Sequence, residues 1–256
     1  MTDFFRNIVK DLNDENTNVA ADGLGSSEFG DTIDTGSYIF NAALSGSIYG
    51  GMPNNKVLAL AGETGTGKTF FALGMVKRFL DDNPDGACFY FDTEAAVTKD
   101  MMEQRGIDST RVIISEPESI QRFRHTALKI LENYSSEEDP HPMLLVLDSL
   151  GQLSTTKELE DTAEGKETRD MTKAQLIKAT FRVLTLKLAK ADVPLIVTNH
   201  VYDVIGSYFP MKEMGGGSGL KYTASQIVFL TKKKDKDGTD VIGNIIRCRL
   251  IKSRFT

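Results

Sequence analysis

The chain alternates between short unbroken apolar runs and longer stretches in which apolar residues recur every three or four positions. Lys56–Ala61, Ala87–Asp92, Met143–Asp148 and Leu195–Thr198 are the runs. A strand wetted on one face alternates apolar with polar; a run without alternation predicts a strand buried on both faces. Between the runs, Leu73, Val76, Phe79 and Leu80 fall on one helical face, as do Ile120, Phe123, Ala127, Ile130 and Leu131, and residues 171–190 read as a further helix. Strands buried on both sides and separated by helices predict an α/β fold, a mostly parallel sheet flanked by helices. After residue 220 the pattern changes. Ile227–Thr231 reads as a strand and Asp237-Gly238 as a turn. Ile242–Ile251 then alternates, with Ile246, Cys248 and Leu250 on one face and Arg247 and Arg249 on the other, which predicts an antiparallel extension near the C-terminus. Residues 152–170 and 201–220 read as loops that are long for connectors, and such loops are usually functional.

The first 36 residues stand apart. Phe4–Leu12 reads as a short amphipathic helix, followed by a polar Gly/Ser-rich linker. Seven of the acids fall within residues 1–31, against two bases. A second helix over Tyr38–Leu44 and a glycine-rich turn over Gly46–Asn55 then lead into the first buried run. The division expected is an acidic N-terminal helix and linker, 1–36, making a subunit contact, and a core, 37–256. The formal net charge of −6 argues against a nucleic-acid partner only if charge is spread evenly, and it is not. Residues 169–190 carry six bases against one acid, and 232–254 carry eight against three. Both cysteines, Cys88 and Cys248, lie in apolar strand patterns and read as buried free thiols. His125 and His141 read as surface residues. With no paired-cysteine spacing, no zinc site is expected. No apolar run approaches membrane-spanning length, and the first residues lack a secretory pattern, so a cytoplasmic protein without membrane contact is expected.

Chemistry enters at Gly62-Glu63-Thr64-Gly65-Thr66-Gly67-Lys68-Thr69, a complete G-x-x-x-x-G-K-[ST] loop between a predicted strand and a predicted helix. Glycines allow successive backbone N–H groups to face phosphate oxygens, and the helix start adds its dipole. Lys68 is then the cation for the outer phosphates and Thr69 a hydroxyl ligand for Mg²⁺.

Three polar residues end the other core strands. Asp148 closes the run 143–148; paired with the phosphate loop it reads as a second Mg²⁺ contact. Glu94 lies two residues past the run 87–92. At the carboxyl edge of a parallel sheet it could activate an attacking water, or it could simply be a helix-start acid. His200 follows the run 195–198 and starts the loop 201–220. A γ-phosphate contact and a surface histidine are both open for it.

Together these residues resemble the RecA recombinase family, and within it the phage type. The resemblance rests on the phosphate loop, on Phe40–Met52, on Asp148-Ser149-Leu150-Gly151, on Asn199-His200, on Gly215-Gly216-Gly217-Ser218-Gly219 and on Lys252-Ser253-Arg254, and runs from about residue 37 onward. It implies a RecA-like ATPase core using ATP and Mg²⁺. It makes Glu94 the general base and His200 the γ-phosphate sensor. Lys252 and Arg254 become cations donated to the neighbouring subunit's ATP. The two long loops become DNA-binding loops, with Arg169, Lys173, Lys212, Gly215, Gly216, Gly217 and Ser218 as contacts. Met101 stands where the family often stacks an aromatic residue on adenine. Phe29 is the candidate polymerisation anchor. The function implied is an ATP-dependent recombinase that forms a helical homo-oligomeric filament on single-stranded DNA and exchanges strands with duplex DNA, aided by single-strand-binding and mediator proteins. A hexameric helicase motor and a non-catalytic ATP-binding regulator are the alternatives. Family members continue beyond the point where this chain stops, so a core truncated at its C-terminal end is expected.

Overall fold

The computed structural model describes residues 3–14, 17, 19, 31–166, 171–203 and 212–255. Its helices are α1 (Asp3–Leu12), α2 (Tyr38–Ser45), α3 (Lys68–Asp82), α4 (Lys99–Glu103), α5 (Ile120–Ser135), α6 (Thr156–Ala163), α7 (Lys173–Lys190) and α8 (Ser218–Thr223). Its strands are β1 (Thr32–Ile33), β2 (Met52–Pro53), β3 (Val57–Gly62), β4 (Ala87–Asp92), β5 (Val112–Ser115), β6 (Met143–Asp148), β7 (Leu195–Asp203), β8 (Lys212–Met214), β9 (Gln226–Asp237) and β10 (Asp240–Ser253).

The main sheet runs β10-β9-β3-β7-β6-β4-β5, with β8 added to the outer end of β7. Pairings from β9 across to β5 are parallel; β9 with β10 and β7 with β8 are antiparallel. The expected α/β architecture and its antiparallel extension are both present. The unbroken apolar runs have their cause in two cores, one on each face. Val57, Ala59 and Ala61 of β3, Leu145 and Leu147 of β6 and Val197 of β7 point into a core with α5, α7 and α8. Leu58 and Leu60, Leu144 and Val146, and Ile196 point into the other, with α2 and α3. Every residue of β3 and β6 is buried.

Several expectations are corrected. Residues 152–170 are not an open loop. They contain α6, which starts with a capping box: the Thr155 hydroxyl accepts from the Glu158 N–H, and the Glu158 carboxylate accepts from the Thr155 N–H. That reciprocal pair, in a segment otherwise polar, is the helix signal that apolar periodicity did not carry. Nor are residues 201–220 all loop. β7 continues to Asp203, β8 returns against it, and α8 begins at Ser218. His200 is therefore inside a strand rather than at the start of a loop. Cys88 is buried as expected, but Cys248 is exposed. β10 is the edge strand, and the face shared by Ile246, Cys248 and Leu250 is only half covered. Phe29 lies outside the described residues. α1 carries Phe4, Phe5, Ile8 and Leu12 exposed, an apolar helix face without a partner among the described residues of its own chain.

Candidate active site

In register, Gly62 of β3 stands beside His200 of β7 and Leu230 of β9, and Asp92 of β4 beside Asp148 of β6. The carboxyl ends of four parallel strands thus share one edge, the place where open α/β sheets bind ligands. The phosphate loop starts there. A Cβ on Gly62 would fall 2.7 Å from the Leu230 carbonyl oxygen, so glycine is required for β9 to lie this close. Gly65 and Gly67 adopt φ of 73° and 87°. Inside the loop the Thr66 hydroxyl donates to the Glu63 carbonyl at 2.8 Å. Helices α2, α4, α5 and α6 each have a side-chain cap on their first amides; α7 and α8 have none, and nor does α3, which starts from Gly67. Its first-turn N–H groups stay available to an anion. Lys68 is buried and donates to the carbonyls of Gly62 and Glu63, both at 3.0 Å. Burial lowers its pKa, opposed by the charges of Asp148 and Glu94. A loop that wraps its own lysine, followed by an uncapped helix, suits a polyphosphate.

Asp148 is buried and held on both oxygens: Tyr90 Oη donates at 2.7 Å, and the Thr198 hydroxyl donates to the other oxygen. Burial, then the Asp148 charge, pushes the Tyr90 hydroxyl pKa well up, so Tyr90 stays a donor. Thr69, half-buried at the second position of α3, supplies a hydroxyl. Asp148 and Thr69 are hard oxygen donors of the kind Mg²⁺ takes alongside substrate phosphates. Among the described residues no group of three or more His, Cys, Asp or Glu is placed to hold a metal by itself.

Glu94 is positioned by its neighbours. Asp92 accepts from the Glu94 and Val97 amides at 3.1 and 2.9 Å, which fixes the turn leaving β4. Thr93 and Ser149 exchange two 2.8 Å hydrogen bonds between hydroxyl and backbone, tying that turn to the end of β6. Ser149 Oγ donates to Glu94 Oε1 at 2.8 Å, and His200 Nε2 lies 3.3 Å from the same oxygen. Burial pushes the Glu94 carboxyl up, but the bonds from Ser149 and His200 and the charges of His200 and Lys68 outweigh it and hold its pKa below the ordinary value. Glu94 is therefore a carboxylate at neutral pH. One step further, Gly215 N–H donates to the His200 carbonyl at 2.9 Å, and Asn199 Nδ2 donates to the Gly215 carbonyl at 2.9 Å. A continuous chain of hydrogen bonds leads from Glu94 through His200 to the glycine run.

The residues expected at the DNA loops are more dispersed. Arg169 lies outside the described residues. Lys173, at the start of α7, sits 3.7 Å from Glu158. With Gly215, Gly216 and Gly217 it lines a cavity of about 580 Å³ beside the Glu94–His200 pair. Ser218 begins α8. Lys212, on β8, pairs with Glu63 of the phosphate loop and lies 3.4 Å from Asp203. The glycine run also has a packing cause: a Cβ on Gly219 would meet the Lys178 backbone at 2.8 Å, so α8 lies directly on α7.

Lys252 and Arg254 are at the opposite edge of the sheet. Lys252 pairs with Ile227, which pairs with Ala59, and the Arg254 N–H donates to Ser225 at the level of Val57. Roughly 10–17 Å of β3 separate them from Gly62. Lys252 Nζ donates to the carbonyls of Lys221, Tyr222 and Ala224 at 2.7–3.0 Å, and Arg254 Nη2 to Tyr222 at 2.7 Å, capping the C-terminal end of α8. Burial and the Arg254 charge bring the Lys252 pKa down to about 8.

The supporting roles of Tyr90, Asp92, Thr93, Ser149 and Thr198 are not visible in the sequence. Tyr90 and Thr198 were visible only as single polar groups inside otherwise apolar runs. Nothing local indicated that both point at Asp148.

The protein-family model described as RecA N-terminal domain matches residues 7–256. The recombination and repair protein of Enterobacteria phage T4 is 32% identical over 229 residues, which are 88% of this chain and 57% of that protein. Protein RecA of Leifsonia xyli is 26% identical over 236 residues, 91% of this chain and 62% of that one. Protein RecA of Chloroherpeton thalassium is 29% identical over 226 residues, 87% and 59% respectively. The chain thus spans about three fifths of the length of these curated relatives.

Proposed function

The chain belongs to the RecA family, and from that premise we propose that it is the ATPase core of a DNA-dependent recombinase. In this reading it assembles into a helical filament on single-stranded DNA, pairs that strand with homologous duplex DNA, and exchanges strands. Hydrolysis resets the filament, and base pairing rather than protein contact supplies sequence specificity. The observation that carries the reading is the hydrogen-bonded chain from Glu94 through His200 to Gly215, because it joins the phosphate edge to the segment expected to meet DNA.

The proposed roles are these, and the geometry supports them. The loop amides and Lys68 bind the triphosphate. Thr69 and Asp148 would hold Mg²⁺, which would supply neutralisation of phosphate charge. Glu94 orients and deprotonates the attacking water, with Ser149 fixing one of its oxygens. His200, sharing that oxygen, reports the γ-phosphate to Gly215. Lys173, Lys212, Gly216, Gly217, Ser218 and Arg169 contribute to DNA contacts made mainly to phosphates. The apolar face of α1 packs on the next subunit. Lys252 and Arg254, too far from their own phosphate loop, act on the neighbour's ATP; cations supplied across an interface meet charge developing in the transition state. Single-strand-binding and mediator proteins are the expected partners.

The test is ATP turnover with and without single-stranded DNA, alongside electron microscopy with a slowly hydrolysed ATP analogue. DNA-stimulated turnover and helical filaments are expected. Closed rings that unwind duplex directionally would replace this reading with a helicase motor, and ATP binding without turnover would leave only a regulator.

A further inference from the structure

Phe70 is the third residue of α3, on the same uncapped turn as Lys68 and Thr69, yet its side chain is 63% exposed. Within the chain its ring meets only the edge of Phe71, with centroids 6.0 Å apart, and Arg105 among the described ring contacts. Its neighbour Phe71 makes the core contact, edge-on to Phe40 with ring centroids 5.5 Å apart. The guanidinium of Arg105, just past α4, lies over the Phe70 ring at 5.8 Å. Arg105 Nη1 donates to the Met101 carbonyl at 2.9 Å, while its Nε is buried and has no hydrogen-bond partner among the described residues. Met101 itself is partly buried against the core beneath α3 and β4. Its side chain serves packing, and its carbonyl is occupied by Arg105.

We infer that Phe70 and Arg105 form the platform for the base of the bound nucleotide. The inference rests on the reading of the phosphate loop as an ATP site. A planar ring and a planar guanidinium are the two side-chain surfaces best suited to stack on a purine. Both stand beside the turn that would hold the phosphates. The Nη2 group of Arg105, which makes no hydrogen bond among the described residues, can also donate to the ring nitrogens of a base, which are acceptors. The base contact thereby moves from the Met101 position to the first turn of α3. Lys68 and the loop glycines are left to hold the phosphates alone.

Inorganic tripolyphosphate, which has the phosphates and no base, separates the two parts. The chain contains no tryptophan, so Phe70→Trp introduces a single fluorescent reporter. Its emission is expected to be quenched by ATP and unchanged by tripolyphosphate. Phe70→Ala is expected to weaken ATP binding roughly 10-fold or more, the scale of one stacked base, with tripolyphosphate affinity unchanged; Phe70→Tyr restores ATP binding. Arg105→Ala is expected to weaken ATP selectively as well. Unchanged ATP affinity in Phe70→Ala overturns the platform while leaving the ATP site standing. So does equal loss of ATP and tripolyphosphate, or quenching by both ligands. If the wild-type chain binds neither ligand, the proposed function fails first, and the platform with it.

Discussion

The two edges of the central sheet treat their charged residues in opposite ways. At the carboxyl edge every acid is fixed from within the chain: Asp148 by Tyr90 and Thr198, Glu94 by Ser149 and His200. At the amino edge Lys252 and Arg254 lie on the carbonyls that end α8, with no carboxylate partner among the described contacts. The first edge is preorganised to hold a ligand and pays for that order during folding. The second keeps its cations near the surface, on acceptors that a more negative group can displace. Because one sheet separates the edges, a single chain cannot bring both to one phosphate, whereas a repeating assembly can place one edge against the other.

The strongest way to break the contrast is at the phosphate loop. Lys68→Ala should abolish ATP binding and turnover, since Lys68 is the loop's own buried cation; near-normal turnover would remove the carboxyl edge as the active site. Lys252→Ala and Arg254→Ala should leave ATP binding by the isolated chain intact. Their DNA-stimulated turnover should fall by about 10³–10⁵-fold, the range for a cation supplied in trans. Mixing either with Lys68→Ala sharpens the point. Filaments containing both should regain activity that neither has alone, and inactive mixed filaments would mean that the amino edge does not act on a neighbour.

Glu94→Gln should retain ATP binding and lose turnover by ~10²–10⁴-fold, leaving filaments that persist on DNA. Normal single-turnover rates in this variant would assign the water to another residue. A smaller effect is expected from pH. Lys252 is a cation below about pH 8 and neutral above it. A neighbour's phosphate would favour the charged form, so DNA-stimulated turnover should decline only as pH rises above that value, and Lys252→Arg, which keeps its charge, should carry activity to higher pH. Superimposable profiles would show that this charge is not used.

The smallest expected change is Tyr90→Phe. It takes one donor from Asp148 and should cost about 0.5–1.5 kcal/mol in chemical denaturation. If Asp148 is the Mg²⁺ contact proposed, the variant should also need more Mg²⁺ for half-maximal turnover; an unchanged requirement would make Tyr90 a purely structural support.

Much of the fold was legible because it follows from local rules. A strand buried on both faces must be apolar throughout, and a phosphate loop must carry glycines where φ is positive, so β3, β4, β6, β7 and the start of α3 could be read directly. α6 was not, because its helix is specified by a capping box and exposed polar residues rather than by an apolar stripe. Cys248 misled for the converse reason: alternation reports which face a residue takes, not whether anything covers that face. The sequence alone also named Lys68, Asp148, Glu94 and His200, each at the end of a readable strand or on the loop. Only the tertiary structure brought Ser149 and His200 to one Glu94 oxygen, and Tyr90 and Thr198 to Asp148. Only it set Arg105 over Phe70 and placed Lys252 and Arg254 at the far edge of the sheet. Those relations depend on which strands become neighbours and in what register, and that is settled by long-range packing rather than by any stretch of adjacent residues.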